Sequence, residues 1–305
     1  MSGSRRRVAF GLLLAVALSG GCAGYQRPPG PYPPTHIKVV SFNIRNGNSL
    51  DGKNGWKKRR SMVFDLLREE EADFVGVQEA LNSQIKQLRK ALPEFHHRGR
   101  PRFMLPLPVL NEATPIFYRR DRWVLDKRDE GTFWLSDKPS KSGSKGWGNF
   151  LPRIVTWTRF IEKETGAAVY VFNTHFDDSS RQSRIRSAEL LAKRIAERKH
   201  RDPVIVTGDF NADESSPTIR YIKGDEDLSP VRLVDTFRVA HPHRRNAGTL
   251  GNWKGRTNGP KIDYIFVEDE TRVLSAEILH DNRDGRYPSD HFPVTAEVIV
   301  PGRGH

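Results

Sequence analysis

Val204-Ile205-Val206-Thr207-Gly208-Asp209-Phe210-Asn211 is a β-branched run that breaks abruptly into polar residues. Three β-branched aliphatics before Thr-Gly read as a strand in a layered core and its exit. Asp209 and Asn211 then sit at the end of a rigid scaffold, where site residues are commonly carried. The pattern recurs along the chain. Ile37 to Phe42 leads into Asn43, Phe74 to Val77 into Gln78 and Glu79, and Ala168 to Asn173 into His175. Asp263 opens the run Tyr264 to Val267, Ile154 to Phe160 is a further strand, and Asp290 with His291 lie in Pro288-Ser289-Asp290-His291-Phe292-Pro293-Val294.

Between these runs lie helical stretches. Trp56 to Glu71 places Met62, Val63, Leu66 and Leu67 at helical spacing, and Arg184 to Lys199 places Ile185, Ala188, Leu191, Ala192 and Ile195 on one face. The bases Arg186, Lys193, Arg194 and Arg198 fall mostly elsewhere and read as a solvated helix face. Strands interspersed with helices, with no internal repeat and no break in composition after residue 36, imply one α/β layered sandwich over residues 37–300.

Composition agrees. The chain has 305 residues, of which 36% are hydrophobic, 10% aromatic and 29% charged. That excludes a compositionally disordered chain, and a single cysteine excludes a disulfide scaffold. The formal net charge of +13 invites nucleic acid or an anionic surface as partner, but net charge speaks to nonspecific association rather than to a site.

Part of that charge belongs to a leader. Arg5, Arg6 and Arg7 precede the apolar run Val8 to Leu18, then Ser19, Gly20, Gly21 and Cys22. Eleven apolar residues are too few to span a bilayer, which takes about 20, so residues 1–22 read as an export signal. Small residues running into Cys22 resemble the bacterial lipoprotein signal, in which the cysteine is lipidated and tethers the mature chain to a membrane. Ser19 stands where that pattern usually has leucine, and an ordinary secretory or a twin-arginine signal are the alternatives. Loss of the three leader arginines, with no acid among residues 1–21, leaves a mature charge of +10. Residues 23–36, with Pro28, Pro29, Pro31, Pro33 and Pro34, read as a stiff linker.

A lone Asn or Asp at a strand end is normally a turn or cap, and a lone His is normally structural. Six such segments in one order are different. Asn43, Gln78-Glu79, His175, Asp209-Phe210-Asn211, Asp263 and Ser289-Asp290-His291 resemble, in order, the motifs of the endonuclease/exonuclease/phosphatase superfamily, the DNase I-like metal-dependent phosphoesterases. The resemblance covers about residues 37 to 299. It implies a four-layered α/β sandwich of two packed, mainly antiparallel β-sheets flanked by helices, with one active site at the strand ends.

It also implies a chemistry. A phosphoester is anionic and repels hydroxide, so the site needs a divalent cation, a group to deprotonate water and donors for the phosphoryl oxygens. By resemblance Glu79 is the principal ligand of Mg²⁺, with Mn²⁺ as a substitute, and Asn43 and Asp290 are further ligands. His291 and Asp263 form the acid–base pair, Asp209 and Asn211 orient water and phosphate, and His175 donates to phosphate or leaving group. Tyr118, in Pro115-Ile116-Phe117-Tyr118-Arg119, matches the segment whose tyrosine faces the phosphate, with Glu112 just upstream. Asn43, Arg153 and Arg286 are the substrate-binding candidates, the arginines as rigid forks. Trp56, Trp134 and Trp147 are candidate pocket walls, with core packing as the simpler reading.

The chain is most similar to secreted or lipoprotein bacterial members, which share Gly131-Thr132-Phe133-Trp134-Leu135-Ser136 and Gly285-Arg286-Tyr287-Pro288-Ser289-Asp290-His291. It departs from them at Arg98 to Leu110, where a glycine-rich acidic loop is expected, and at Leu250, where an aromatic is expected. The expectation is an exported, monomeric phosphoesterase acting on a small or lipid-derived phosphodiester or monoester. An extracellular nuclease is the alternative among enzymes, and a noncatalytic surface binding module the alternative outside them. The histidine at position 175 argues against the abasic-site repair branch.

Overall fold

The computed structural model describes residues 32–103, 111–226 and 228–303. The leader, Cys22 and most of the proline-rich linker lie outside the described residues, as do residues 104–110 of the divergent loop. In chain order the strands and helices are β1 (Thr35–Asn43), α1 (Trp56–Glu69), β2 (Phe74–Gln78), α2 (Asn82–Ala91), β3 (Phe95–Arg98), β4 (Ile116–Arg119), β5 (Trp123–Trp134), β6 (Ile154–Glu162), β7 (Ala168–His175), α3 (Arg181–Ala196), β8 (Val204–Asp209), α4 (Pro217–Lys223), β9 (Leu233–Asp235), α5 (Thr236–Ala240), β10 (Asp263–Glu268), β11 (Arg272–Ile278) and β12 (Val294–Val300). β1 begins two residues before the start expected from the sequence, taking Thr35 and His36 from the linker.

Two six-stranded sheets result, ordered β11-β12-β1-β2-β4-β3 and β5-β6-β7-β8-β10-β9. All neighbours are antiparallel except one central parallel pair in each, β1 with β2 and β7 with β8. Alternation along each strand builds the layers. Ile37, Val39, Phe74, Val169, Val171, Ile205 and Ile265 face the other sheet in one core. Val40, Phe42, Val75 and Val77 face outward and pack with Val63, Leu66 and Leu67 of α1 and Ile85 and Leu88 of α2. Tyr170, Phe172, Val204 and Val206 face outward against Ala188, Leu191 and Ile195 of α3 and Ile219 and Ile222 of α4.

The inward-facing rows do not stay apolar. Ile37 and Val39 are followed on the same face by Ser41 and Asn43, Phe74 by Gly76 and Gln78, Val171 by Asn173 and His175, and Ile205 by Thr207 and Asp209. The parallel pairs therefore carry their polar ends to one rim. β10, antiparallel to β8, presents its first residue there, with Asp263 opposite Asp209.

A buried polar seam fastens the sheets beneath that rim. Gln78 Nε2 donates to Asn173 Oδ1 at 2.7 Å, Gly208 N donates to Ser41 Oγ at 3.0 Å, and Asn173 Nδ2 donates to the carbonyls of Val77 and Pro115, each at 2.9 Å. Gly76 makes the approach possible, since a Cβ there would lie 2.0 Å from Thr207 Oγ1 and 2.8 Å from Asn173 Oδ1. Gly76→Ala is expected to destabilise the fold by about 2–3 kcal/mol through overpacking, read as a lower urea midpoint. An unchanged midpoint would show that the sheets can part without cost.

Candidate active site

Asp209 is the point on which the two sheets converge. Its Oδ2 accepts from Asn43 Nδ2 at 2.9 Å and lies 3.5 Å from His175 Nε2 and 3.8 Å from His291 Nε2; its Oδ1 accepts from Asn211 N at 2.9 Å. Burial, then the charge of Asp263, pushes its carboxyl up to about 7. His291 Nδ1 is 2.8 Å from Asp263 Oδ2. The backbone nitrogen of Asp263 in turn donates to Thr249 Oγ1 at 3.0 Å, fixing the carboxylate's base. Burial opposes charge on His291, but Asp263 and Asp209 outweigh it and hold the imidazolium well above the ordinary histidine range. His175 is the opposite case, because burial and then the charges of Arg153, Arg102 and His291 keep it neutral well below that range.

Glu79 stands on the other sheet's rim. The second amide hydrogen of Asn43 goes to Glu79 Oε1 at 3.1 Å, and Asn46 N donates to Oε2 at 2.8 Å. Three residues that leave strands here, Arg45, Glu79 and Asn211, adopt left-handed backbone with φ of 57°, 59° and 47°. Such strain is uncommon for non-glycine residues and concentrates where a side chain must be aimed. Beyond Glu79, Asn46 Nδ2 donates to Glu112 Oε1 at 2.6 Å, and Arg102 Nη1 pairs with Glu112 Oε2 at 2.8 Å. Arg153, immediately before β6, pairs with Asp177 at 3.3 Å and Asp178 at 2.8 Å. Glu79, Arg102, Glu112, Pro152, Arg153 and His175 line one small recess.

The donors fit a divalent cation at Glu79. Its carboxyl is pushed up by burial, then by the neighbouring charges of Glu112 and Asp290, so positive charge beside these oxygens relieves their repulsion. Oxygen-only donors suit a hard ion such as Mg²⁺. Asp209, Asp263 and His291 also bring ligand atoms within 4.8 Å of one another. There the imidazole nitrogen nearer Asp263 is already tied to it, an arrangement suited to moving protons.

A sequence profile described as the Endonuclease/Exonuclease/phosphatase family matches residues 40–291. The chain belongs to this family. A family protein from Bacteroides vulgatus is 32% identical over 87% of this chain and 99% of its own, with a TM-score of 0.78. A mannosyl-6-phosphatase from Bacteroides thetaiotaomicron is 31% identical over 86% of this chain and 99% of its own, with a TM-score of 0.75. An uncharacterized protein of Acanthamoeba polyphaga mimivirus is 26% identical over 85% of this chain and 98% of its own length. As an endonuclease/exonuclease/phosphatase family member the chain is a metal-dependent hydrolase of phosphoester bonds.

Within the family site, Asn43, Glu79, His175, Asp209, Asp263 and His291 are brought together, with Asn211 and Asp290 at the margin. Asn43 uses its amide hydrogens on two carboxylates and its oxygen on Arg45 N, so here it bridges the sheets rather than presenting an oxygen to an ion. Asn211 gives its side-chain amide to the Phe176 carbonyl at 3.1 Å. Asp290 lies 3.6 Å from Arg45 Nε.

One candidate is corrected. Tyr118 is not at the site, because β4 runs antiparallel to β2 and pairs Ile116 with Gly76 and Tyr118 with Phe74, which carries the tyrosine toward the opposite end. There it packs on Phe160 at a ring separation of 4.8 Å. Arg286 is exposed and donates to the carbonyls of Lys53 and Lys58 at 3.3 and 3.2 Å. Among the tryptophans, Trp56 and Trp134 are buried, and Trp147 donates to Asp137 at 2.7 Å.

Three residues escaped the sequence reading. Arg102 sits in the proline-bearing loop with no strand to announce it. Asn46 follows Asn43 by three residues and holds both Glu79 and Glu112. Arg59 is one of four consecutive bases in Lys57-Lys58-Arg59-Arg60, yet it is buried and donates to the carbonyls of Asn54, Ile44, Pro288 and Arg45. Its alignment with Met62, Val63 and Leu66 on the inner face of α1 was the available signal.

Proposed function

We propose that this enzyme is an exported, Mg²⁺-dependent phosphoesterase that hydrolyses a small phosphomonoester of the sugar-phosphate type. The recess beside Glu79 carries the proposal. Arg102 and Arg153 flank it with His175, and two buried guanidiniums suit the extra charge of a terminal phosphate dianion better than a diester in a continuous backbone. The 31% identity to the mannosyl-6-phosphatase supports the same class.

Glu79, with Glu112 and Asp290 nearby, would hold the cation, which supplies Lewis-acid polarisation of a phosphate oxygen. The chain's own groups do the rest. Asp209, accepting from Asn43 and Asn211, takes the proton of the attacking water. His291, kept as imidazolium by Asp263, directs Nε2–H at the charge that builds on the phosphoryl oxygens. Neutral His175 donates a hydrogen bond to the ester oxygen as its bond to phosphorus breaks, and solvent protonates the departing alkoxide.

The titration of Asp209 is testable. With its carboxyl raised to about 7, the base is mostly protonated below that pH, so kcat/KM is expected to fall tenfold per unit on the acid side and level off above it. Asp209→Asn removes this limb and lowers the rate by about 10²–10³-fold. An acid limb centred near 4, the ordinary carboxylate value of about 4, would contradict the assignment.

The substrate experiment compares hexose 6-phosphates, glycerophosphates, glycerophosphodiesters, RNA and plasmid DNA, with and without EDTA, using residues 23–305. Metal-dependent cleavage of sugar monoesters, lost in Glu79→Gln, is the expected result. Efficient, mutation-sensitive cleavage of nucleic acid would replace this reading with the nuclease. Attachment through Cys22 belongs to the same proposal, and Cys22→Ser is expected to move the protein from the membrane fraction to the soluble one.

A further inference from the structure

Away from the catalytic recess, on the outer face of the second sheet, lies a cleft of about 470 Å³, within the usual size range for small-ligand pockets. α3 ends at Ala196, and the segment after it borders the cleft together with the outer faces of β5, β6 and β7. The floor is aromatic. Trp157 pairs across the strands with Gly131, and a Cβ on that glycine would come within 3.1 Å of the indole nitrogen, so the ring lies over β5 where any other residue would displace it. Trp157 stacks with Phe172 at a ring separation of 6.1 Å and an interplanar angle of 19°, and it remains half-buried with area open to the cleft.

The rim is cationic. The guanidinium of Arg194 lies 5.7 Å from the centre of the Phe133 ring, and that of Arg100 lies 5.2 Å from the Trp134 ring. Arg100, Arg194 and Lys199 have no carboxylate partner among the described residues. The cleft's two acids are engaged elsewhere. Asp129 accepts from the Tyr170 hydroxyl, and Glu197 lies 3.8 Å from Lys193, outside the cleft. Tryptophan over a cross-strand glycine is sound packing by itself. Packing does not call for three unneutralised cations lining the same cleft as that ring.

We propose that this cleft is a second binding site for a planar anion of the mononucleotide class, with its ring against Trp157 and its phosphate on Arg100, Arg194 and Lys199. Aromatic platforms edged by arginine are suited to such ligands because every base has a π-face and the guanidinium adds both charge and planarity. The inference uses no residue of the catalytic cluster and does not depend on the substrate proposed above.

Calorimetric titration of the mature chain in EDTA, which stops turnover, tests it with adenosine 5′-monophosphate and ribose 5-phosphate as probes. The nucleotide is expected to bind about tenfold or more tighter than the sugar phosphate, the difference being the stacked base. Arg194→Glu, a change at an exposed helix position, and Trp157→Leu should each weaken nucleotide binding by about tenfold, while Glu79→Gln leaves it unchanged. Absence of nucleotide binding, equal affinity for the two probes, or loss of binding in Glu79→Gln but not in Arg194→Glu would overturn the proposal; the last would put the nucleotide in the catalytic recess.

Discussion

His291→Ala is expected to lower kcat by about 10³-fold, the upper end for one donor aimed at charge that builds in the transition state, and adding Asp263→Asn to lower it little further. The two side chains act as one device. The 2.8 Å contact between His291 Nδ1 and Asp263 Oδ2 fixes which nitrogen faces Asp209 and keeps the ring charged. Asp263→Asn alone removes the larger of the two charges that together outweigh burial, so the imidazolium is held less firmly while the ring keeps its place. Its loss should be about 10²–10³-fold, and largest at high pH, where the weakened imidazolium loses its proton first. Effects of groups acting together are not additive. Strict multiplication of the two single losses in the double variant, measured by steady-state kinetics on a phosphomonoester, would show that Asp263 acts independently.

Arg59→Ala should cost about 3–5 kcal/mol of stability, in the range seen when one side of a buried charged network is removed. The Arg59 side chain is 1% exposed and its guanidinium donates at 2.7–3.1 Å to four main-chain carbonyls. It also lies 5.1 Å from the Trp56 ring and 5.2 Å from the Trp253 ring. Two of those carbonyls, Ile44 and Arg45, directly follow Asn43. A third, Pro288, precedes Ser289, whose hydroxyl donates to the Asn43 carbonyl at 2.7 Å. One buried fork thus ties α1 to the two loops that aim Asn43 and His291. Arg59→Lys should recover less than half of the loss, because an ammonium cannot reproduce the planar set of donors. Urea unfolding followed by circular dichroism reads the stability. A cost under about 1 kcal/mol, the size of one ordinary hydrogen bond, would mean that water replaces the guanidinium freely.

Apolar periodicity made β1 and β2 of the first sheet, β6, β7, β8 and β10 of the second, and the helices α1 and α3 legible. Strand-end polarity made the cluster around Asp209 legible. What escaped has physical causes. The middle of β5 reads Asp126-Lys127-Arg128-Asp129-Glu130 and crosses a register shift between Leu125 and Glu130, so it shows neither alternation nor an apolar run. β3 and β9 are short edge strands of four and three residues. Tyr118 was misplaced because a segment's sequence does not state the direction in which it pairs, and an antiparallel β4 sends its later residues away from the rim that a parallel strand would have reached. Arg102 and Arg59 resemble surface bases until the tertiary structure supplies their partners, Glu112 for one and main-chain carbonyls for the other.

A Mg²⁺ titration of phosphomonoester hydrolysis after EDTA treatment, run on the wild type and on Glu79→Gln, bears most directly on the site described. Activity should vanish with EDTA and return with Mg²⁺ in the wild type, while Glu79→Gln should need at least about tenfold more Mg²⁺ and recover a small fraction of kcat, as expected when a carboxylate ligand to a hard cation is lost. Hydrolysis that resists EDTA, or an identical Mg²⁺ requirement in the two proteins, would contradict a metal-dependent centre built on Glu79.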